Sequence, residues 1–274
     1  MANQQHELPE YENPPISEVA LSVEFTPVEG WRGAHGGLFW HDISADYPIS
    51  ETKFPIPSEV EDFGSDLLAP PNFRFGQFDP DLIRYWFFSE PRDRIVQVQA
   101  DHFVVNWRKV RGDEVYPRYA NDIRPRFHHE LDRFRRFLND RKLGGLNIRQ
   151  CEVVYVNDIP RGEGWDKISD IRNLLSPWTG ETSDGFLPDP TTLNIDMAFT
   201  MPERSGRLRF AAQHLRRATD GVEVIQIRLT ARSKPTSNND DDVLKAMDLG
   251  REWVVRGFTD LSTNEAHKKW KRTR

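Results

Sequence analysis

The 274-residue chain contains a single cysteine, Cys151, and no long apolar run. One thiol cannot close an internal disulfide, and it cannot supply a cysteine-based zinc site. The longest hydrophobic stretches, such as residues 86–88, are too short to cross a bilayer, and the polar first residues lack the apolar region of a secretory signal peptide. We therefore expect a cytoplasmic protein that folds without disulfides and has no membrane partner.

Familiar catalytic signatures are also missing. The glycines between residues 30 and 37 spell neither a phosphate-binding loop nor a dinucleotide fingerprint, and no Gly-x-Ser-x-Gly nucleophile elbow occurs. His128 and His129 are adjacent, so on a helix they point about 100° apart and cannot clasp one metal without a third element. The sequence thus predicts no catalytic residue, no cofactor and no metal ligand, and it favours a protein that is not an enzyme.

Aromatic residues and acidic residues are plentiful. The 17 Phe, 8 Trp and 6 Tyr argue against disorder, where bulky apolar residues are scarce. The net charge of −6 is unevenly spread, because residues 262–274 hold five basic residues against one acidic residue. The rest of the chain is strongly negative, and a body of that sign repels phosphate backbones unless its basic residues are segregated.

Periodicity in the first half predicts a strand, a helix, three strands and a helix. Apolar and polar residues alternate over 19–25, 94–100 and 103–108, and the stretch 84–89 is aromatic, so all four are predicted strands. Helical spacing predicts a helix over 33–47 and an amphipathic helix from about Asn121 to Leu138. Residues 48–57 are proline-rich, and residues 58–61 read as a capping box that would open a short helix.

The second half repeats this order. It predicts strands over 151–159, 193–201, 207–215 and 222–232, a helix over 165–175, and a final helix after the acidic cluster at 238–242. The segments 25–31 and 159–165 both end in Glu-Gly-Trp. We expect an α+β fold in which two duplicated halves form one antiparallel sheet with helices on one face. The expected divisions are a flexible N-terminal tail at 1–13, a first half at 14–145, a second half at 146–261 and a basic C-terminal tail at 262–274.

Two segments carry a resemblance. Residues 13–19 (NPPISEV) and 96–108 (VQVQADHFVVNWR), with a strand like 152–157 at mid-chain, resemble the signatures of a sporadically distributed, largely uncharacterised family of bacterial proteins. The resemblance spans nearly the whole chain and implies no reaction, cofactor or catalytic residue. Its patchy distribution implies an accessory gene, with a role in bacterial conflict or anti-phage defence as the expectation.

The sheet face opposite the helices is the candidate recognition surface, because it would show long hydrogen-bonding side chains. The candidate residues are Gln97, Gln99, Asn106, Arg108, Tyr155 and Asn157. We expect a non-catalytic recognition module that binds a protein partner or a small ligand.

Two alternatives stay open. One is nucleic-acid binding, through an exposed Trp270 flanked by Lys268, Lys269, Lys271 and Arg272, and through the arginine-rich helix with Arg124, Arg126, Arg133, Arg135 and Arg136. The other is a hydrolase of unknown substrate that uses His128 or His214 with a carboxylate across the groove.

Overall fold

The computed structural model describes residues 7–65, 83–181 and 185–274. Nine strands form one antiparallel sheet in the order β2-β3-β4-β5-β1-β6-β9-β8-β7, which confirms the α+β class. The strands are β1 (Ile16–Phe25), β2 (Ile49–Lys53), β3 (Arg84–Phe88), β4 (Arg94–Gln99), β5 (His102–Arg108), β6 (Ile148–Pro160), β7 (Asn194–Thr200), β8 (Gly206–Arg216) and β9 (Glu223–Ser233). The α-helices are α1 (Gly33–Ile43), α2 (Arg124–Asp140), α3 (Asp240–Leu261) and α4 (Asn264–Lys269), and short helical turns lie at Tyr119–Ile123, Ile168–Asn173 and Pro202–Arg204.

The two halves of the sheet have matching strand orders. The order β3-β4-β5-β1 in the first half corresponds to β7-β8-β9-β6 in the second, and the halves join where β1 pairs with β6. The two Glu-Gly-Trp segments occupy equivalent places after β1 and β6. Trp31 and Trp165 are both buried, and Gly30 and Gly164 before them both adopt positive φ angles. The preceding glycine therefore allows the same tight turn in each half.

One sheet face is covered by helices. This face carries the alternate β1 residues Val19, Leu21 and Val23, which are completely buried. Phe134 of α2 stacks on Phe103 of β5 at 5.1 Å between ring centroids. The long helix α3 approaches the sheet closely at Gly250, where an added Cβ would lie 2.8 Å from the side chain of Val153. The main hydrophobic core lies between this helix layer and the sheet.

Several predicted elements differ from the structure. The helix predicted over 165–175 is only a 3₁₀ turn at Ile168–Asn173, and α1 ends at Ile43 rather than at 47. The proline-rich stretch holds an edge strand, β2. The capping box at 58–61 opens no helix, because the Ser58 and Glu61 side chains bind distant residues rather than local amides, and Pro55 and Pro57 fix the preceding backbone.

The two terminal segments pair with each other. Residues 1–6 of the predicted N-terminal tail lie outside the described residues, whereas Glu12 N–H donates to Lys271 O and Thr273 N–H donates to Glu10 O. The expectation of an exposed Trp270 is wrong: its side chain is 3% exposed, because the ring packs 5.0 Å from that of Phe258. Within the described residues, no helix combines the length and apolarity that a bilayer crossing requires.

A candidate binding groove on the uncovered sheet face

The sheet face opposite the helices is rich in polar side chains. The central strand β1 contributes Glu18, Ala20, Ser22 and Glu24 to this face, in alternation with its core residues. The strands β5 and β6, which flank β1, and β4 on the far side of β5 add glutamine, asparagine, histidine and glutamate in register with them. A small apolar cluster lies in the middle of the face and is separate from the main core; its members are Ala20, Val104, Val154 and Val156.

Residues 54–65, which we call the strap, contact the polar side chains of this face. Gln99 holds Ile56 at both backbone groups: the Ile56 N–H donates to Gln99 Oε1 and Gln99 Nε2 donates to Ile56 O, each at 2.9 Å. Gln150 accepts from the Glu61 N–H at 2.9 Å and donates to Glu59 O at 3.3 Å. Two glutamine amides thus substitute for the neighbouring strand that an extended backbone normally pairs with.

A buried ion cluster fixes the far end of the strap. Arg207 Nη1 and Arg209 Nη2 both donate to Glu61 Oε1 at 2.8 Å. The Glu61 and Arg207 side chains are 4% and 3% exposed. Arg232 lies 3.7 Å from Glu61 Oε2 and donates to Glu152 at 2.6 Å. Because charges this buried are costly when unpaired, the cluster ties the strap to β8 and β9.

The near end of the strap rests on a histidine–carboxylate cluster. His102 Nδ1 donates to Asp101 Oδ1 at 2.7 Å, its Nε2 lies 3.6 Å from Glu24 Oε2, and Ser58 Oγ donates to Glu24. Burial disfavours the imidazolium, but the hydrogen bonds to Asp101 and Glu24 outweigh it and raise the pKa of His102 to about 9. Burial opposes ionisation of Glu24, yet hydrogen bonds from His102 and Ser58 hold its pKa below the usual range. At neutral pH, His102 is therefore a cation between two carboxylates, which makes it a poor general base.

A groove of about 450 Å³ lies beside the strap. The small side chains of Ala20 and Ser22 form its floor together with Val104 and Val154, and the strap residues Ile56, Pro57 and Glu59 form one wall. The remaining lining residues come from strands β3, β4, β5, β1, β6 and β9. The groove therefore crosses six neighbouring strands, which span roughly 24 Å at the spacing of strands in a sheet.

Three buried polar atoms in the lining have no hydrogen-bond partner among the described residues: Arg84 Nε, Trp86 Nε1 and Gln97 Oε1. They are close in the sheet, since Trp86 pairs with Gln97 in the register and Arg84 lies two residues before Trp86 on β3. The Gln97 amide donates to Asn106 at 2.7 Å, and Asn106 donates to Glu18 at 2.5 Å, so this chain of bonds leaves the Gln97 oxygen as a free acceptor. Each such atom costs about 1–3 kcal/mol when it has no partner.

Two arginines of the lining carry uncompensated charge. Neither Arg84 nor Arg228 forms an ion pair with any residue that the structure describes. Burial alone lowers the pKa of Arg84, whose guanidinium lies over the Trp86 ring at 5.1 Å. Arg228 is exposed on β9, on the other side of the central strands. The groove can therefore meet negative charge at two separated points.

The structure divides the sequence-predicted recognition residues among several places. Gln97 and Asn106 line the groove, and Gln99 holds the strap. Arg108 lies at the edge of the same face, where its guanidinium stacks 5.3 Å from the Phe88 ring. Tyr155 and Asn157 are on the opposite, helix-covered face, because residues of β6 at odd positions point toward α3. The prediction of one shared surface is therefore wrong for these two residues.

The basic residues behind the nucleic-acid alternative are mostly neutralised. All five arginines of the predicted helix lie within 4 Å of a carboxylate; the pairs are Arg124–Asp248, Arg126–Asp122, Arg133–Asp46, Arg135–Asp240 and Arg136–Asp132. In the tail, Lys271 lies 3.5 Å from Glu12, and the buried Trp270 ring presents no face for base stacking. Lys268 and Lys269 have no carboxylate partner within the described residues, and Arg272 Nε donates to the Arg274 main-chain oxygen at 2.7 Å.

The residues behind the hydrolase alternative do not reach the groove. His128 on α2 is exposed, 3.3 Å from Asp240. His214 lies 2.7 Å from Glu223 across the β8–β9 hairpin and packs against Trp165. Cys151 is buried, and burial raises the pKa of its thiol to about 12, so no thiolate nucleophile forms. Across residues 7–65, 83–181 and 185–274, no three histidine, cysteine or acidic side chains converge as metal ligands.

Sequence reasoning missed Arg84, Trp86, Arg228 and the strap. The strand predicted over 84–89 is present as β3, and Arg84 and Trp86, two residues apart on it, share one face. The sequence does not show which strands become neighbours in the sheet. It therefore could not show that Arg84 and Trp86 lie on the same face as Gln97. The comparisons with known proteins supply nothing further: no protein-family model matches this chain, and no curated protein matches it.

Proposed function

We propose that the chain is a non-catalytic recognition module whose groove binds an extended polypeptide segment of a partner protein. The observation that carries the proposal is the set of three unpartnered buried atoms on β3 and β4. An extended backbone offers alternating N–H and C=O groups. Its amides could donate to Gln97 Oε1, while its carbonyls accept from Trp86 Nε1 and Arg84 Nε.

The strap supports this proposal, because it shows how the same face holds an extended segment. The Gln99 amide hydrogen-bonds both the N–H and the C=O of Ile56. The Gln150 amide hydrogen-bonds the N–H of Glu61 and the C=O of Glu59. Gln97 lies two residues before Gln99 on β4, one row farther from the strap, and its oxygen is unused. A partner segment would therefore lie beside the strap and use the next row of side chains.

The charges of the lining favour a particular composition of the bound segment. Arg84 and Arg228 are lining cations that have no carboxylate partner among the residues the structure describes, and they lie on strands at opposite sides of the groove. We expect the bound segment to carry acidic side chains near its two ends, because each would gain a charge-assisted hydrogen bond.

The proposed setting is the bacterial cytoplasm. The one cysteine is free and buried, which suits a reducing compartment. The family resemblance adds an accessory role in a conflict or anti-phage system, in which the groove would take hold of another component of that system.

The test is a selection of random twelve-residue peptides on the wild-type protein, followed by affinity measurements on variants. Trp86→Phe with Gln97→Leu removes two of the unpartnered atoms while keeping an aromatic ring at position 86 and a side chain of similar volume at position 97. Gln213→Leu is the matched control, since Gln213 is an exposed residue of β8 on the same face but is not part of the lining.

We expect the selected peptides to bind wild type and Gln213→Leu equally, and to bind the double variant at least about tenfold more weakly. The double variant also removes the hydrogen bond from Gln97 to Asn106, so thermal melting establishes that it is folded before affinities are compared. Failure to enrich any peptide, or equal affinity for the double variant, would overturn the proposal.

A further inference from the structure

A second cavity lies on the opposite face of the sheet, under α3. Its volume is about 280 Å³, near the lower end of the range for small-molecule pockets, which is about 300 Å³. Strands β1, β6 and β9 form its floor, and α3, the chain before β1 and residues 116–121 close around it. Its apolar lining includes Ile16, Leu229, Val254 and Phe258. None of its lining residues belongs to the groove.

Two arginines of this cavity have no carboxylate partner among the described residues. The Arg251 guanidinium stacks on the Tyr119 ring at 5.0 Å, and that of Arg118 lies over the Tyr116 ring at 5.9 Å. Arg118 donates to the Tyr11 backbone oxygen, and Arg251 Nε is buried with no partner. Two positive charges thus border a partly aromatic space.

Nearby acidic groups are engaged elsewhere. Glu10 belongs to the cavity lining and lies 2.5 Å from Arg274. Asp248 accepts hydrogen bonds from the Tyr119 hydroxyl and the Arg124 guanidinium, both at 2.8 Å. Neither carboxylate therefore neutralises the two cavity arginines.

The hydroxyl groups add a further donor. Tyr116 and Tyr155 share one hydrogen bond of 2.9 Å between their oxygens, so one of their two hydroxyl hydrogens is left for another acceptor. Arg251 acts on the same hydroxyls: burial raises the pKa of Tyr155, and the hydrogen bond with Tyr116 and the charge and hydrogen bond of Arg251 oppose that rise. Arg251 Nε and one hydroxyl hydrogen of the tyrosine pair therefore have no acceptor among the described residues, although the same guanidinium also hydrogen-bonds the Tyr155 hydroxyl.

The backbone beside the cavity has an unusual conformation. Arg118 adopts φ 70° and ψ 142°, a region in which side chains other than glycine are strained, and a π-helical turn, Tyr119–Ile123, follows it directly. Turns of this kind inside helices are frequent at functional sites. Here the turn brings Arg118 and Tyr119 to the cavity together.

We infer that this cavity binds a small organic anion with an apolar ring, whose carboxylate meets Arg251 and the Tyr116–Tyr155 hydroxyls. The ring would pack against Leu229, Val254 and Phe258. A carboxylate supplies the acceptors that these donors lack, and it neutralises a guanidinium at charge-assisted hydrogen-bond distance.

The test uses indole-3-acetate as the probe and indole-3-acetamide as its neutral counterpart, with binding measured by calorimetry and saturation-transfer NMR on the full chain. Arg251→Met keeps most of the apolar stem and removes the charge. Arg136→Met is the matched control, because Arg136 is an arginine on α2 outside the cavity lining. Tyr155→Phe removes one hydroxyl, and thermal melting establishes that each variant is folded.

We expect indole-3-acetate to bind wild type and Arg136→Met equally, and the acetamide, Arg251→Met and Tyr155→Phe each to weaken binding, by about tenfold for loss of the charge. The Trp86→Phe/Gln97→Leu groove variant should bind the probe as wild type does, which separates this site from the proposed function. Equal binding of the acid and the amide, unchanged affinity in Arg251→Met, or no binding up to about 5 mM would overturn the inference.

Discussion

Raising the pH should weaken the fold through one residue, His102. The imidazolium is held between Asp101 and Glu24 under the near end of the strap, and its pKa is raised from 6.5 to about 9. Because the folded state binds this proton more tightly than the unfolded chain, the stabilisation is complete below about pH 6.5. It declines as the pH rises through about 9 and is absent above it.

The size of the effect follows from the shift. The pKa of His102 is higher in the folded state than in the unfolded state by about 2.5, which corresponds to about 3 kcal/mol in the free energy of unfolding. The His102 side chain is only 10% exposed, so solvent screening reduces this figure less than it would at the surface. Since a typical domain is stable by about 5–15 kcal/mol, the loss is large enough to measure.

The assay is urea denaturation at several values between about pH 6 and about pH 10, applied to wild type, His102→Gln and His41→Gln. His41 is the control, since its side chain is 87% exposed. We expect the free energy of unfolding of His102→Gln to be lower than that of wild type at pH 6, with the difference shrinking by about 3 kcal/mol toward pH 10. Parallel curves for wild type and His102→Gln across that range would refute the reasoning.

Three further changes have defined outcomes. Glu61→Gln should destabilise the protein by about 3 kcal/mol and speed proteolysis within the strap, because it leaves the buried Arg207 without a carboxylate partner. The exposed Glu59→Gln should cost less than about 1 kcal/mol, and urea denaturation and limited proteolysis check both variants. Gly36→Ala should lower the free energy of unfolding by about 1–3 kcal/mol, since its Cβ would lie 2.3 Å from a tyrosine ring. Gly37→Ala, which has open space around it, should raise the free energy of unfolding by about 0.5–1 kcal/mol. Trp270→Ala should destabilise by about 3–5 kcal/mol in thermal unfolding, a result that an exposed side chain would not give.

The fold was predictable to the extent that periodicity reports burial. In β1, β4 and β5 the apolar residues lie on the helix-covered face and the polar residues on the other, and α2 buries one apolar face, so these elements could be read directly from the sequence. The prediction of a short helix over 58–61 is wrong because serine and glutamate can either cap a helix or bind distant side chains. A serine and a glutamate three residues apart can cap a helix, but here they bind Glu24 and a pair of arginines on distant strands.

The groove was less predictable, because it depends on which strands become neighbours. Gln97 and Asn106 were identified from alternation within their own strands, and the sheet brings them together. Tyr155 was assigned to the wrong face because a strand buried on both sides has no clear alternation: Val153, Val154, Tyr155 and Val156 are all buried. No local signal distinguishes the two faces of such a strand.

The strap and the proposed ligand should cooperate rather than compete. The strap is held by Gln99 and Gln150, whereas the unpartnered atoms belong to the adjacent row, at Trp86 and Gln97. Ile56 and Glu59 of the strap also form a wall of the groove, so a strap held in place preorganises the site. Glu61→Gln, which loosens the strap, should therefore weaken binding of a selected peptide. If the strap instead blocked the groove, the same variant would bind the peptide more tightly, so affinity measured on Glu61→Gln distinguishes the two arrangements by sign.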